Sequence, residues 1–562
     1  MCWEICLPLI SLFESKPDQQ PSIQQSGFLR CNDFCRSASE SKKKLNQRVK
    51  VAVISRSFDP HHQPDMSRKS STQQAGPAKL DVGSEVMYVR SNRVVLDNTI
   101  GPAEIVICNG KIAEVLPKRN WARPSAEKVF RSSLGKAKNT WHHIFFWHSE
   151  MIDVGDLVVM PGIIDPHVHI CEPGHPSCEG FASVTKAAAA GGITTIVDMP
   201  GFCCPPATTL SALDSKFQSA KGQCHVDVAF WGAMVPGNQV KYPEMQLYPL
   251  SRVLCAVSRV CNERAELVTK TWGCPGGEDK GTKKDFHAEQ DPNQSMPVLA
   301  DTAEYSTFLD SRPDTMEVEA TLTIAELCLL YKVPCHIINL SSAQALPIIK
   351  EARHKGAPIT VETTHHYLSL SSECIPSGGT YYKCCPPIRE KSNQEQLWAA
   401  LKAGQIDMVV SAHVPCFRDF KDENNGDFLK AQAGIASLQF GLPLFWTSAK
   451  YRRFSFCDLV QLLCKNPAIL SRLEDHKGSL SPGMDADLVI WDPEKEFEVK
   501  KDIIHHKCKL TPYLGFKLCG KVFATLVRGR LVYLNGKFAP KAQGELLVPE
   551  RKVPTKIPSP YY

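Results

Sequence analysis

Hydrophobic and polar positions along this chain fall into three regimes. Residues 1 to about 80 are rich in Ser, Gln, Lys and Pro and carry no sustained hydrophobic period, which predicts a disordered N-terminal extension. Short alternating runs begin near Met87. MYVRSNRVVL and AEIVICNGKIAEVL read as strands, the second run turning back at Asn109-Gly110. Residues 119–150 break the pattern and read as an insertion, after which DVGDLVVMPGIID resumes it as a buried strand.

From there strands and helices alternate. VTKAAAAGG (Val184 to Gly192) predicts a helix stopped by glycine, and ITTIVDMP the strand after it. CHVDVAFWGAM, PCHIINLSS, APITVETTHHY and IDMVVSAH predict further strands; Val318–Tyr331, Ala343–Lys355 and Gln394–Ala403 predict helices. Repeated βα units imply a parallel sheet with crossovers. Their number, with no glycine-rich dinucleotide loop after the first strand, predicts an α/β fold of the closed (β/α)8 TIM type over residues 157–480. Beyond 480 the strand pattern of the opening returns, with a turn at Asn535-Gly536. One small flanking β-domain built from both chain ends, residues 81–156 and 481–545, is therefore expected, with 546–562 as a tail.

A length of 562 residues suits a large barrel plus a smaller domain. The net charge of +6 is small for that length, and no basic stripe with interleaved aromatics occurs, so nucleic-acid binding is not indicated. No apolar run reaches membrane-spanning length. The 23 Cys are spread through apolar segments rather than set in a framework, which points to reduced thiols in an intracellular protein. The start, MCWEICLPLISLF, lacks a basic n-region and contains Glu4, unlike a secretory signal. The cytoplasm is the first expectation for compartment, with mitochondrion or peroxisome as alternatives.

The chemistry begins at PGIIDPHVHI. His167 and His169 lie two apart, which on a strand puts both imidazoles on one side. At the C-terminal end of a barrel strand that side faces the active site, and two neutral imidazoles there suit a zinc ion. An HxH alone is a weak sign. Here it follows a buried strand and precedes the acidic turn Glu172-Pro173-Gly174 and a helix, which favours a metal site.

PGIIDPHVHICEPG, CEGFASVTKAAAAGGITTIVDMP, HIINLSSAQAL, TVETTHHYL, YKCCPPIRE, LWAALKAGQIDMVVSAHVPC, HKGSLSPGMDADLVIWDP and HHKCKLTPY occur in this order. Together they resemble the cyclic-amide hydrolases that include dihydroorotases, dihydropyrimidinases and, most of all, allantoinases. The resemblance covers roughly residues 85–118 and 150–545. It implies hydrolysis of the ring of allantoin to allantoate, two zinc ions per chain and a homo-oligomer, by resemblance a homotetramer. It also implies that His167, His169, His287 (in HAE) and His366 occupy zinc-ligand positions. Cys385 and Gly434 lie in segments that in the family offer backbone groups to the substrate ring.

The departures carry as much weight. The lysine that the family carbamylates to bridge both metals sits in a GFKCF-like segment. Residues 239–286 contain no such motif: Leu254 falls near its place, and Lys241 and Lys270 lack a flanking apolar strand. That stretch is expected to lack a barrel strand and to pack poorly. The family's SDHSPC is SAHVPC here, so Ala412 stands where an aspartate would bind metal and act as general base, and no catalytic residue is assigned. His413 beside it is expected to point away. His175 replaces an arginine, Asn339 a histidine, and AQAGI the family's AWGGI. Three readings follow: an impaired allantoinase with at most one firmly bound zinc, a catalytically inactive relative with a binding or assembly role, or a hydantoinase- or dihydropyrimidinase-type hydrolase. YKCCPPIRE and HHKCKLTPY favour allantoin over the last.

Overall fold

The computed structural model describes residues 86–118, 129–131, 149–233, 253–259, 284–289, 301–416, 418–422 and 424–547. The expectations for the N-terminal extension, for most of 119–150 and for most of 239–286 lie outside them.

The chain opens with β1 (Val86–Val95), β2 (Ile100–Cys108) and β3 (Lys111–Pro117), an antiparallel meander. Asn109 and Gly110 turn between β2 and β3 with φ of 50° and 78°, a left-handed pair that few residues other than Asn and Gly adopt without cost. β4 (Val129–Arg131), β5 (Ser149–Asp153) and β6 (Val158–Pro161) follow. The barrel strands are β7 (Ile163–Val168), β8 (Ile193–Asp198), β9 (Asp227–Ala233), β10 (Val253–Arg259), β11 (Lys284–His287), β12 (Cys335–Ile338), β13 (Ile359–Thr364) and β14 (Met408–Val410). β15 (Leu488–Glu498), β16 (Lys517–Val527), β17 (Arg530–Leu534) and β18 (Lys537–Phe538) complete the set.

Two sheets result. One runs β18-β17-β16-β15-β6-β1-β2-β3, so residues from both ends of the chain share it, joined where β6 meets β15 antiparallel and β1 parallel. Val89, Val94, Ile105, Val159, Leu488, Ile490 and Leu526 form its core, alternate residues of strands that bury one face. The other is the eight-stranded parallel barrel in sequence order, β7 to β14. Between its strands run α1 (Phe181–Ala190), α2 (Leu210–Ala220), α3 (Asp314–Tyr331), α4 (Leu346–His354) and α5 (Lys391–Lys402), with α6 (Gly441–Ala449) after β14. Closure is made at β7 and β14: His169 N–H donates to the His413 carbonyl at 2.9 Å, and Ser411 N–H donates to Asp165 Oδ2 at 3.0 Å.

β10 corrects one expectation. VLCAVSR is a full barrel strand, parallel to β9 and β11, within the stretch expected to lack one. Strands inside a closed sheet are held by backbone bonds on both sides, so a weak side-chain pattern can still be recruited. No helix among the described residues is long and apolar enough to cross a membrane.

At the N-terminal end of β9 the two sheets are locked by charge. Asp227, Asp485 and Asp487 are buried within 4.8 Å of one another. Lys477 Nζ sits among them at 2.8, 3.0 and 2.6 Å, and Arg528 also pairs with Asp227. Two cations thus already occupy this acidic group, which makes it a structural cluster rather than a metal seat. The chain end joins it: Glu545 N–H donates to Asp227 Oδ1 at 2.8 Å, and Leu547 N–H to the Val228 carbonyl at 2.8 Å. Removing one partner of a buried ion group leaves unpaired charge behind, so Lys477→Met is expected to cost about 3–5 kcal/mol of stability. Urea unfolding of the two proteins checks this, and an unchanged midpoint would refute the role given to the cluster.

Candidate active site

β7 delivers the two histidines of the HxH to the C-terminal mouth of the barrel. Both are buried, with ring centroids 5.6 Å apart. His167 Nδ1 lies 2.6 Å from Glu362 Oε1, so its Nε2 is the nitrogen left for a ligand. His169 donates from one ring nitrogen to the Gly201 carbonyl, while its Nδ1 is buried with no hydrogen-bond partner among the described residues. Burial, then the neighbouring charge of His167 and Lys216, holds His169 neutral, well below the usual imidazole range. Two imidazoles, each with one ring nitrogen bonded and the other left over, have the donor chemistry of a zinc-type ion.

The other proposed ligands stand differently. His287, at the end of β11, has Nε2 3.2 Å from Glu289 Oε2, and Glu289 is also paired with Arg312 at 2.7 Å. Burial raises the Glu289 carboxyl, but bonding to His287 and the charge of Arg312 outweigh it and bring the group down to about 2. His366 uses both ring nitrogens within the protein: Nδ1 meets the Tyr513 hydroxyl at 2.7 Å, and the ring also donates to the Ala412 carbonyl. The APITVETTHHY run predicts a strand through both histidines, but β13 ends at Thr364, and His365 and His366 lie in the short helix His365–Ser369. β14 likewise ends at Val410, before Ala412 and His413. His413 is fully buried; its Nδ1 accepts the Ser437 N–H at 3.0 Å and its Nε2 faces Glu179 at 3.6 Å.

Ala412 has φ of 43° and Asn339, at the end of β12, φ of 59°. The two strand ends where the resemblance places an aspartate and a histidine thus both carry left-handed backbone. Asp and Asn visit that region more readily than Ala does. Asn339 Oδ1 is buried without a hydrogen-bond partner among the described residues. Among the described residues, no three ligand-type side chains gather at this mouth as closely as the aspartates around Lys477 do. Among the described residues, His167 and His169 are the pair at this mouth whose chemistry fits an ion.

Cys385 and Gly434 belong to adjoining segments, since Gly434 N–H donates to the Lys383 carbonyl at 2.9 Å. Three successive carbonyls after Cys385 are pinned: Pro386 by Tyr367, Pro387 by Ser341, Ile388 by Tyr305. Gly434 O accepts from Lys421, so both backbone groups of Gly434 are engaged within the protein. A Cβ on Gly434 would lie 2.5 Å from Val414, and its φ of 142° also favours glycine. Sequence reasoning missed the carboxylates that hold this mouth together: Asp165, Glu179, Glu289 and Glu362. Their signal was charge inside otherwise apolar strands and their ends. Asp198 was also missed; it is buried with Lys216 at 2.5 Å and accepts the Ile170 N–H at 3.2 Å, fixing the chain just past His169.

The amidohydrolase family profile matches residues 158–270 and 278–532. The chain belongs to the amidohydrolase family. It is 46% identical over 434 residues to the mitochondrial allantoinase of Aquarana catesbeiana, covering 76% of this chain and 84% of that one. It is 39% identical to an allantoinase of Saccharomyces cerevisiae, covering 71% and 88%. Among solved structures it resembles the L-hydantoinase (dihydropyrimidinase) from Arthrobacter aurescens, with a TM-score of 0.72, 26% identity and coverage of 82% and 98%. Within the family it is thus an allantoinase-like cyclic amidohydrolase.

Burial holds three histidines around the mouth neutral: His365, His366 and His506 are each lowered to about 3. Unfolding frees them to take a proton below about pH 6.5, so the unfolded state binds more protons and stability falls as pH drops. At pH 5 each should cost on the order of 2 kcal/mol relative to pH 7.5. Urea midpoints at the two pH values check this; equal midpoints would contradict the buried neutral state.

Proposed function

We propose that this amidohydrolase binds allantoin at the barrel mouth and converts it to allantoate at a rate far below that of an intact site, on at most one zinc ion. The observation that carries this reading is Ala412. Its methyl group stands at the mouth, on backbone of φ 43°, where the relatives' resemblance places the proton-moving aspartate. A methyl cannot take a proton from the attacking water or return one to the leaving nitrogen. Loss of a general acid/base alone costs about 10²–10⁴-fold.

A bound zinc ion would supply Lewis acidity to the ureide carbonyl and a more acidic water. His167 and His169 would hold it from one side, each offering a lone pair. His287 is bonded to the ionised Glu289 and would have to give up that bond to act as a ligand. The pinned ridge at Pro386–Ile388 and the Cys385 segment before it offer a rigid wall for a flat five-membered ring. Selection for allantoin over a hydantoin or dihydropyrimidine rests on the allantoinase relatives and on the YKCCPPIRE and HHKCKLTPY segments. A cytoplasmic homo-oligomer completes the proposal.

Metal analysis of the purified protein should find no more than one zinc per chain, and allantoin turnover should be lower than that of an intact allantoinase by at least about 10²-fold. Two zincs per chain with ordinary turnover would overturn the proposal. No zinc and no turnover, with allantoin still bound in calorimetry, would favour the second reading of an inactive binding protein. Ala412→Asp should fold at least as well as the parent, because aspartate tolerates the left-handed backbone better. It should raise turnover without restoring it fully, since Asn339 and the missing bridging lysine remain. Full restoration by that one substitution would show that the other departures are silent.

A further inference from the structure

The buried interior beneath the mouth contains a linked trio of side chains that neither the resemblance nor the relatives' names account for. Glu362 stands on β13 and His167 on β7, two strands separated by β14 in the closed barrel, so their contact crosses the barrel interior. Glu362 Oε1 is 2.6 Å from His167 Nδ1, and Glu362 Oε2 is 3.2 Å from His336 Nε2 on β12. His336 Nδ1 is in turn 2.8 Å from Thr360 Oγ1. Glu362 is 1% exposed, His167 2% and His336 0%, so water does not compete for these bonds.

We propose that Glu362 is a positioning residue: it fixes His167 in the tautomer whose Nε2 lone pair faces the mouth, and His336 fixes Glu362. Glu362 turns one oxygen to each ring, and a carboxylate oxygen accepts. His167 must therefore carry its proton on Nδ1, which leaves Nε2 as its lone pair. His336 must carry its proton on Nε2, so its Nδ1 accepts from the Thr360 hydroxyl. One carboxylate with two acceptor oxygens thus sets the tautomers of two rings on two other strands. A ring so held presents its lone pair in one direction without an entropy cost at the moment of ligation. The metal arm of this inference rests on the one-ion reading above; the tautomer arm does not.

The test uses the full chain without metal. Long-range proton–nitrogen NMR on histidine-labelled protein should show His167 protonated on Nδ1 and His336 on Nε2. Glu362→Gln keeps the shape but offers one acceptor and one donor, so one of the two rings must exchange tautomer. Unchanged tautomers for both rings in Glu362→Gln would overturn the proposal. Titration with Co²⁺ provides the second readout: Glu362→Ala should weaken binding about 10- to 100-fold, with Glu362→Asp in between. Affinity within twofold of the parent in Glu362→Ala would also overturn it. Should Glu362→Ala fail to fold, the tautomer exchange in Glu362→Gln still decides. If the parent chain binds no Co²⁺ while the tautomers behave as stated, the one-ion reading fails and the positioning role stands.

Discussion

Closure of the barrel between β7 and β14 is the constraint on which the site depends. It is made by few groups. Asp165 accepts from His167 N–H with one oxygen and from Ser411 N–H with the other, and His169 N–H meets the His413 carbonyl. Because these bonds use the backbone of the HxH and of the segment around Ala412, closing the barrel and assembling the mouth are one event. The histidines of β7 cannot reach their places without drawing Ala412 beside them. The backbone shape of the mouth is therefore set by these bonds and does not depend on the side chain at position 412.

The outer ring of carboxylates holds that shape. Glu179 accepts Lys507 N–H and faces His413, tying the C-terminal segment to the mouth. Glu317 accepts Ser341 and Ser342 N–H and pairs with Arg389, fixing the turn after β12. Burial raises the Glu317 carboxyl to about 7 even against the charge of Arg389, which makes it the least settled charge of the group. Each of these groups stabilises geometry rather than performing chemistry. The groups that shape the mouth are thus distinct from the histidines of the HxH.

Much of the fold could be read from residue patterns, because both helix and strand periods were strong around His167, Val184 and Ile193. The shared sheet of the two ends was legible from matching strand runs. β10 was not, since VLCAVSR gains its place from neighbours on either side rather than from its own alternation. The helical turn at His365 and the end of β14 before Ala412 escaped for a related reason: strand ends are set by tertiary bonds, and a period of two does not announce where it stops. The role of Glu362 was invisible because its partner His167 lies 195 positions away.

The charge cluster beneath the barrel has a consequence for how the protein is made. Asp227 reaches its ionic partners only when Lys477 and Arg528 have emerged, and residues 545–547 bond beside it only after that. Until then a buried aspartate near the start of the third barrel strand has no countercharge. The nascent barrel must wait, partly open, for almost the whole chain to leave the ribosome. Vectorial synthesis thus offers this protein little chance to complete its first domain early.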